Sequence, residues 1–262
     1  MLMNRRITRL LLVAAIAASV LPAAALAADG FDQALARYAR VLSNFVSQAR
    51  VDYAGLKAAP KELDAYLAEI ASVKPGDFAN WDKDERLALL LNLYNAQTLR
   101  LIIDHYPLKS IREIGLLPGA AWREPIVRLG GEVISLNHLE HEIIRPRYAE
   151  PRIHFALVCA AVSCPPLRRE PFVAARLAEQ LDDQARAFLA TAEKNRFDAE
   201  KSTLWLSAIF EWYGEDFTRD GVSLADYVKT YLPKAGVAAM GRAGKIQVRF
   251  NDYDWALNDW KR

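Results

Sequence analysis

The chain has little that would cross-link it, anchor it or charge it strongly. Its 262 residues include only two cysteines, Cys159 and Cys164, and four histidines. One internal disulfide is the most that two cysteines allow, so a disulfide scaffold is excluded and apolar packing has to hold the fold. Past residue 27 no stretch approaches the ~18 uninterrupted apolar residues of a membrane-spanning helix. Lys and Arg total 34 against 32 Asp and Glu, with no basic cluster, which argues against nucleic acid as the main partner. There is no internal repeat and no low-complexity tract.

What is present begins with a leader. Arg5, Arg6 and Arg9 precede an apolar run from Leu10 to Val20, and the small-residue pattern Ala25-Leu26-Ala27 follows. This reads as a signal peptide over residues 1–27, which places the protein in the periplasm or outside the cell. The apolar run is short and Pro22 ends it, which disfavours an uncleaved anchor, and no cysteine at the cleavage point offers a lipid site. The expectation is no stable membrane insertion after cleavage. Cleavage would remove three arginines and no acidic residue, moving the formal charge from +2 to −1. The remaining length is enough for a single core without disulfide help. The expected organisation is signal peptide 1–27, an N-terminal helical segment 28–75, and a main domain 76–262.

Hydrophobic periodicity predicts helices separated by short strands. Phe31, Leu35, Tyr38, Leu42 and Phe45 recur at spacings of three and four, which predicts an amphipathic helix over 31–48. "DKDERLALLLNLYNAQTLRLIIDHY" starts with acidic residues suited to a helix N-terminus and stops before Pro107. Apolar residues surround most of that helix, so it should be central. "PIVRLGGEVISL" predicts a hairpin turning at Gly130-Gly131, and Ser135 reads as the N-cap of a helix through "LNHLEHEIIR". "RIHFALVC" reads as a buried strand. A helix over "AARLAEQLDDQARAFLATAEK", a hairpin around "RFDAEKSTLWLS", two short helices in 208–232 and a strand "KIQVRF" follow. The expected class is α+β, a helix-rich single domain around a small, mainly antiparallel sheet.

Polar residues on buried faces are the candidates for function. Asn92 and Asn95 share a face of the central helix, and a buried carboxamide costs ~1–3 kcal/mol unless its hydrogen bonds are met. They are read either as a polar pocket wall that binds substrate or as ties to a neighbouring loop. In the first case Asn95→Leu would leave stability within ~1 kcal/mol. Tyr94 points to another side, into a pocket or into core. His138, His141 and Glu142 have spacing that would bring metal ligands together, but no further ligand is evident, so no metal and no cofactor is assigned. The ordinary alternative is a capped helix with surface histidines. His141 is kept as a possible base, because Ile144 and Arg145 suggest that its side of the helix approaches the core.

In a straight strand Cys159 and Cys164 would stand about 16 Å apart, whereas a disulfide needs less than ~7 Å, so a bond requires a turn within "AAVS". One reading is therefore a structural disulfide. The other is a thiol enzyme in which Cys159 attacks, His141 takes its proton, and a backbone N–H or an amide of Asn92 or Asn95 stabilises the oxyanion. Strand alternation would send His154 and Cys159 to opposite faces.

"LNLYNAQTL", "ISLNHLEHEIIRPRY", "RIHFALVCAAVSCPPL" and the tail "VRFNDYDWALN" together resemble the domain-of-unknown-function family numbered 547, over roughly residues 80 to 255. The resemblance implies that Asn92, Tyr94, Asn95, Glu140, His141, Arg145, His154 and Cys159 carry the family pattern. Cys159, His141 and His154 are then the catalytic candidates, and Asn92, Tyr94, Asn95 and Arg145 the substrate-binding ones. A papain- or transglutaminase-like fold is an expectation by analogy, from which the chain departs because no cysteine opens its central helix. Two functions stay open: a thiol-dependent amide hydrolase or acyl transferase acting on peptide or cell-envelope material, and a noncatalytic module binding a small molecule or peptide.

Overall fold

The computed structural model describes residues 35–260. The expected leader lies outside the described residues, as does the start of the first amphipathic helix, whose described part runs over 35–45. That helix leads into a two-residue hairpin, β1 (Val46–Ser47) and β2 (Arg50–Val51). Short helices Tyr53–Ala58, Lys61–Ala71 and Pro75–Asn80 follow, and then the central helix Lys83–His105.

The central helix starts where the sequence predicts. Asp82 accepts a hydrogen bond from the Glu85 N–H while Glu85 reaches back to the Asp82 N–H, so two otherwise unpaired donors are satisfied. Leu89, Leu90 and Leu91 are all fully buried. At ~1.5–3 kcal/mol per buried leucine, packing rather than intrinsic helix propensity holds this element. Tyr38, Leu42, Leu56, Leu63 and Tyr66, all from before residue 76, are buried in the same core.

The predicted hairpin is present as β3 (Pro125–Leu129) and β4 (Glu132–Ser135), antiparallel and joined by Gly130 and Gly131 at φ of +60° and +84°. Only glycine adopts two such angles in succession without strain. Ser135 caps the next helix, its Oγ accepting from the His138 N–H at 3.1 Å. This helix opens as Leu136–His138, widens into a π-helical segment Leu139–Ile144, and closes as Arg145–Tyr148. Glu140 and His141 sit in the widened segment.

The stretch "RIHFALVC" is not a strand. Ile153–Ala156 forms one helical turn and Leu157 turns extended. An apolar run this short does not by itself distinguish a buried strand from a buried helical turn. What decides is that the backbone groups a neighbouring strand would pair are taken by a side chain, Asn95.

Beyond helix Leu177–Leu189, strands β5 (Arg196–Asp198) and β6 (Thr203–Leu206) form the second predicted hairpin, and β7 (Gln247–Phe250) joins β6 in parallel. A second apolar cluster, which includes Phe155, Phe188, Phe210 and Phe217, lies against this sheet. The architecture is the expected helix-rich α+β in one domain, and its small, mostly antiparallel sheets number three among the described residues. Among the described residues no helix is long and apolar enough to cross a membrane.

Candidate functional site

The chain turns sharply after Cys159. Ala160 adopts φ +60°, and the Cys164 N–H returns to the Ala161 carbonyl at 3.1 Å. The C-terminal tail straps this turn in place: Val162 N–H donates to Ala256 O at 2.8 Å and Asn258 N–H to Ala160 O at 3.0 Å. The turn that a bond between the two cysteines requires is therefore built into the backbone. Their sulfurs stand 3.0 Å apart as free thiols. The Cys159 N–H points at Cys164 Sγ at 2.8 Å, and the Tyr253 hydroxyl lies 3.1 Å from Cys159 Sγ.

The hydrogen bond to Cys164, and then burial, push the Cys159 thiol well above its ordinary range. Burial acts upward on Cys164 too, but the hydrogen bonds from Cys159, joined by Tyr253 and the charge of Lys194, together bring Cys164 down.

Both cysteines line a cavity of about 310 Å³, Cys159 half-buried and Cys164 buried. Tyr94, Glu140, His141, His154 and Tyr213 line it on one side, and Trp122, Trp212, Tyr253 and Trp255 form an aromatic wall. His141 and Cys159, distant in sequence, do share one hollow, as the catalytic reading requires. Among the described residues, however, no hydrogen bond joins either imidazole to a sulfur.

The two histidines differ in tautomer. Arg145 Nη1 lies 2.9 Å from His141 Nδ1, and because a guanidinium only donates, Nδ1 must be the acceptor and the His141 proton sits on Nε2. His141 therefore presents a donor, not the base expected from sequence. His154 is the reverse. Its Nε2 lies 2.7 Å from Asp216 Oδ2, so that nitrogen carries the proton and Nδ1 keeps a lone pair. Burial holds His154 below its ordinary value against the opposing pull of Asp216, which keeps the ring neutral near pH 7. The ring stacks on Tyr213 at 3.8 Å.

Asp216 also accepts from Arg145 Nε at 2.7 Å and from Arg219 Nη2 at 2.9 Å. The hydrogen bond from His154 leads the causes that hold its carboxyl far below the usual carboxylate range. Glu140, 6 % exposed, accepts from Tyr94 at 3.0 Å and Tyr213 at 2.8 Å. Burial and then the charge of Glu140 push both phenols upward, so they remain donors.

Asn92 and Asn95 are scaffold and do not line the cavity. Asn92 exchanges two hydrogen bonds with the backbone of Phe172, at 2.8 and 2.9 Å. Asn95 donates to Ala156 O at 2.9 Å and accepts from Val158 N–H at 3.0 Å. The loop-tying alternative describes both. Arg145 is not among the residues lining the cavity and donates to Asp216 and His141. His138 and Glu142 are exposed, and among the described residues no group of three His, Cys, Asp or Glu side chains is placed to hold a metal.

Sequence reasoning missed Asp216, Tyr213 and Tyr253. Tyr253 and Trp255 lie in the tail already noted for its motif, "NDYDWALN", and two aromatics there among polar residues were a usable signal. Asp216 carried none, since "GEDF" reads as the acidic first turn of a surface helix.

Fold and site together define an α+β domain with a pocket lined by both cysteines and by His154, whose imidazole is held by Asp216. Residues 78–189 match the model of the family described as "Protein of unknown function, DUF547". The match covers the central helix, the helix of Glu140 and His141, and both cysteines, and it stops before Asp216 and the tail. Neither the curated proteins nor the solved structures give a match.

Proposed function

We propose that the chain is a thiol-dependent acyl-transfer enzyme, an amide hydrolase or acyl transferase working on peptide or cell-envelope material in the periplasm or outside the cell. The observation that carries this reading is that His154, oriented by Asp216, opens on the same cavity as Cys159. In this reading the lone pair of His154 Nδ1 takes the thiol proton of Cys159, the sulfur attacks the substrate carbonyl, and the protonated imidazole gives its proton to the leaving amine or alcohol. Water or a second nucleophile then releases the acyl group from the thioester. His141 Nε2–H supplies a donor on the cavity wall for the oxyanion. The compartment rests on the leader read from residues 1–27.

A second reading, a noncatalytic binding module, draws support from the raised Cys159 thiol and from the lack of an imidazole hydrogen bond to either sulfur among the described residues. Activated esters and amides of short peptides separate the two. The enzyme is expected to give a thioester adduct, trapped by acid quench and seen by intact mass, that is lost in Cys159→Ala. Peptide binding without an adduct, and unchanged in Cys159→Ala, would establish the binding module instead.

A further inference from the structure

The mechanism above uses one thiol and leaves the second unexplained. Cys164 is 3 % exposed, yet its sulfur is aimed at Cys159 and also receives the Cys159 backbone N–H. A disulfide needs the sulfurs at ~2.05 Å, so the present 3.0 Å gap leaves about 1 Å to close. Cys159 is half-buried and faces the cavity, so it is the sulfur that an incoming molecule meets first.

We propose that Cys159 and Cys164 are a reversible dithiol–disulfide couple that exchanges with a low-molecular-weight disulfide entering the cavity. Cys159, its proton passed to solvent, attacks one sulfur of the incoming disulfide. That S–S bond breaks, one thiolate departs and takes up a proton, and a mixed disulfide remains on Cys159. Cys164, its own proton likewise released to solvent, then attacks Cys159 Sγ and expels the second thiolate, which is protonated in turn. Two electrons and two protons pass from the pair to the small disulfide, which leaves as two thiols. The Cys159 N–H steadies Cys164 as the attacking thiolate, and in the reverse direction as the leaving group. This exchange rests on the sulfurs alone and not on His154 or Asp216, so it stands or falls separately from acyl transfer. If both hold, oxidation switches the acyl-transfer nucleophile off.

The test uses the full chain in mixtures of reduced and oxidised glutathione, quenched in acid. Both thiols fall in one tryptic peptide, between Arg152 and Arg168, so its mass reports the redox state directly. The expected result for wild type is loss of two hydrogens without a glutathionyl adduct, reversed by excess reduced glutathione. Cys164→Ser is expected to accumulate one glutathionyl group on Cys159, and the wild-type result keeps the proposal testable should that variant not fold. A persistent adduct on wild type, no reaction of either sulfur, or a bond that reduced glutathione cannot reopen would each overturn the proposal.

Discussion

Replacing Asn95 by Leu is expected to lower the unfolding free energy by about 3 kcal/mol, well beyond the ~1 kcal/mol that a pocket-wall residue would allow. The carboxamide satisfies the carbonyl of Ala156 and the N–H of Val158, and these two residues are 1 % and 4 % exposed. Leucine leaves both groups unpaired where water does not reach, at about 1–3 kcal/mol each, and its own burial returns part of that. Denaturant titration should show a lower midpoint with an unchanged slope. Asn95→Asp separates the two bonds, because a carboxylate still accepts from Val158 but faces the Ala156 carbonyl with a second acceptor. A leucine variant as stable as wild type would return Asn95 to the binding candidates.

The same residue shows why part of the fold was legible and part was not. Elements with a local cause were read correctly: acidic residues opening the central helix, Gly130-Gly131 turning the hairpin, Ser135 capping the next helix. "RIHFALVC" was misread because its conformation is set by a side chain about 60 positions upstream, which periodicity in the segment cannot register.

The site divides in the same way. Tyr94, His141, His154 and Cys159 were named from short motifs, and all four line the cavity. Their roles depended on partners that local sequence does not reveal. Arg145, on the next turn of the helix, fixes His141 as a donor, while Asp216, 62 positions from His154, leaves that ring with a free lone pair. The supposed strand also separated His154 from Cys159 on opposite faces. Once the segment is a helical turn followed by extended chain, that objection lapses.

Asp216→Asn is expected to reduce acyl-transfer kcat/KM by on the order of 10²-fold or more while changing how the fold responds to acid. Asparagine can keep an oxygen towards His154 Nε2 and Arg145 Nε, so the tautomer survives. What is lost is the negative charge that stabilises the imidazolium formed when His154 accepts the thiol proton. The effect on stability follows from the two shifted groups. Folded His154 is held below its ordinary 6.5, so the unfolded chain binds this proton first, and stability that is complete above pH 6.5 declines as the pH falls from there. Folded Asp216 is held below its ordinary 3.8, so a second loss begins as the pH falls under 3.8. The variant should lack the second loss. It should also deepen the first, because the hydrogen bond to Asp216 is the leading influence opposing burial at His154, and a neutral amide oxygen holds the charged imidazolium less strongly than a carboxylate does. Unfolding free energies of both proteins from pH 3 to 8 test this through their difference, from which the other carboxylates cancel. Parallel curves would mean that the carboxylate does not govern the His154 proton, and the proposed base would lose its support.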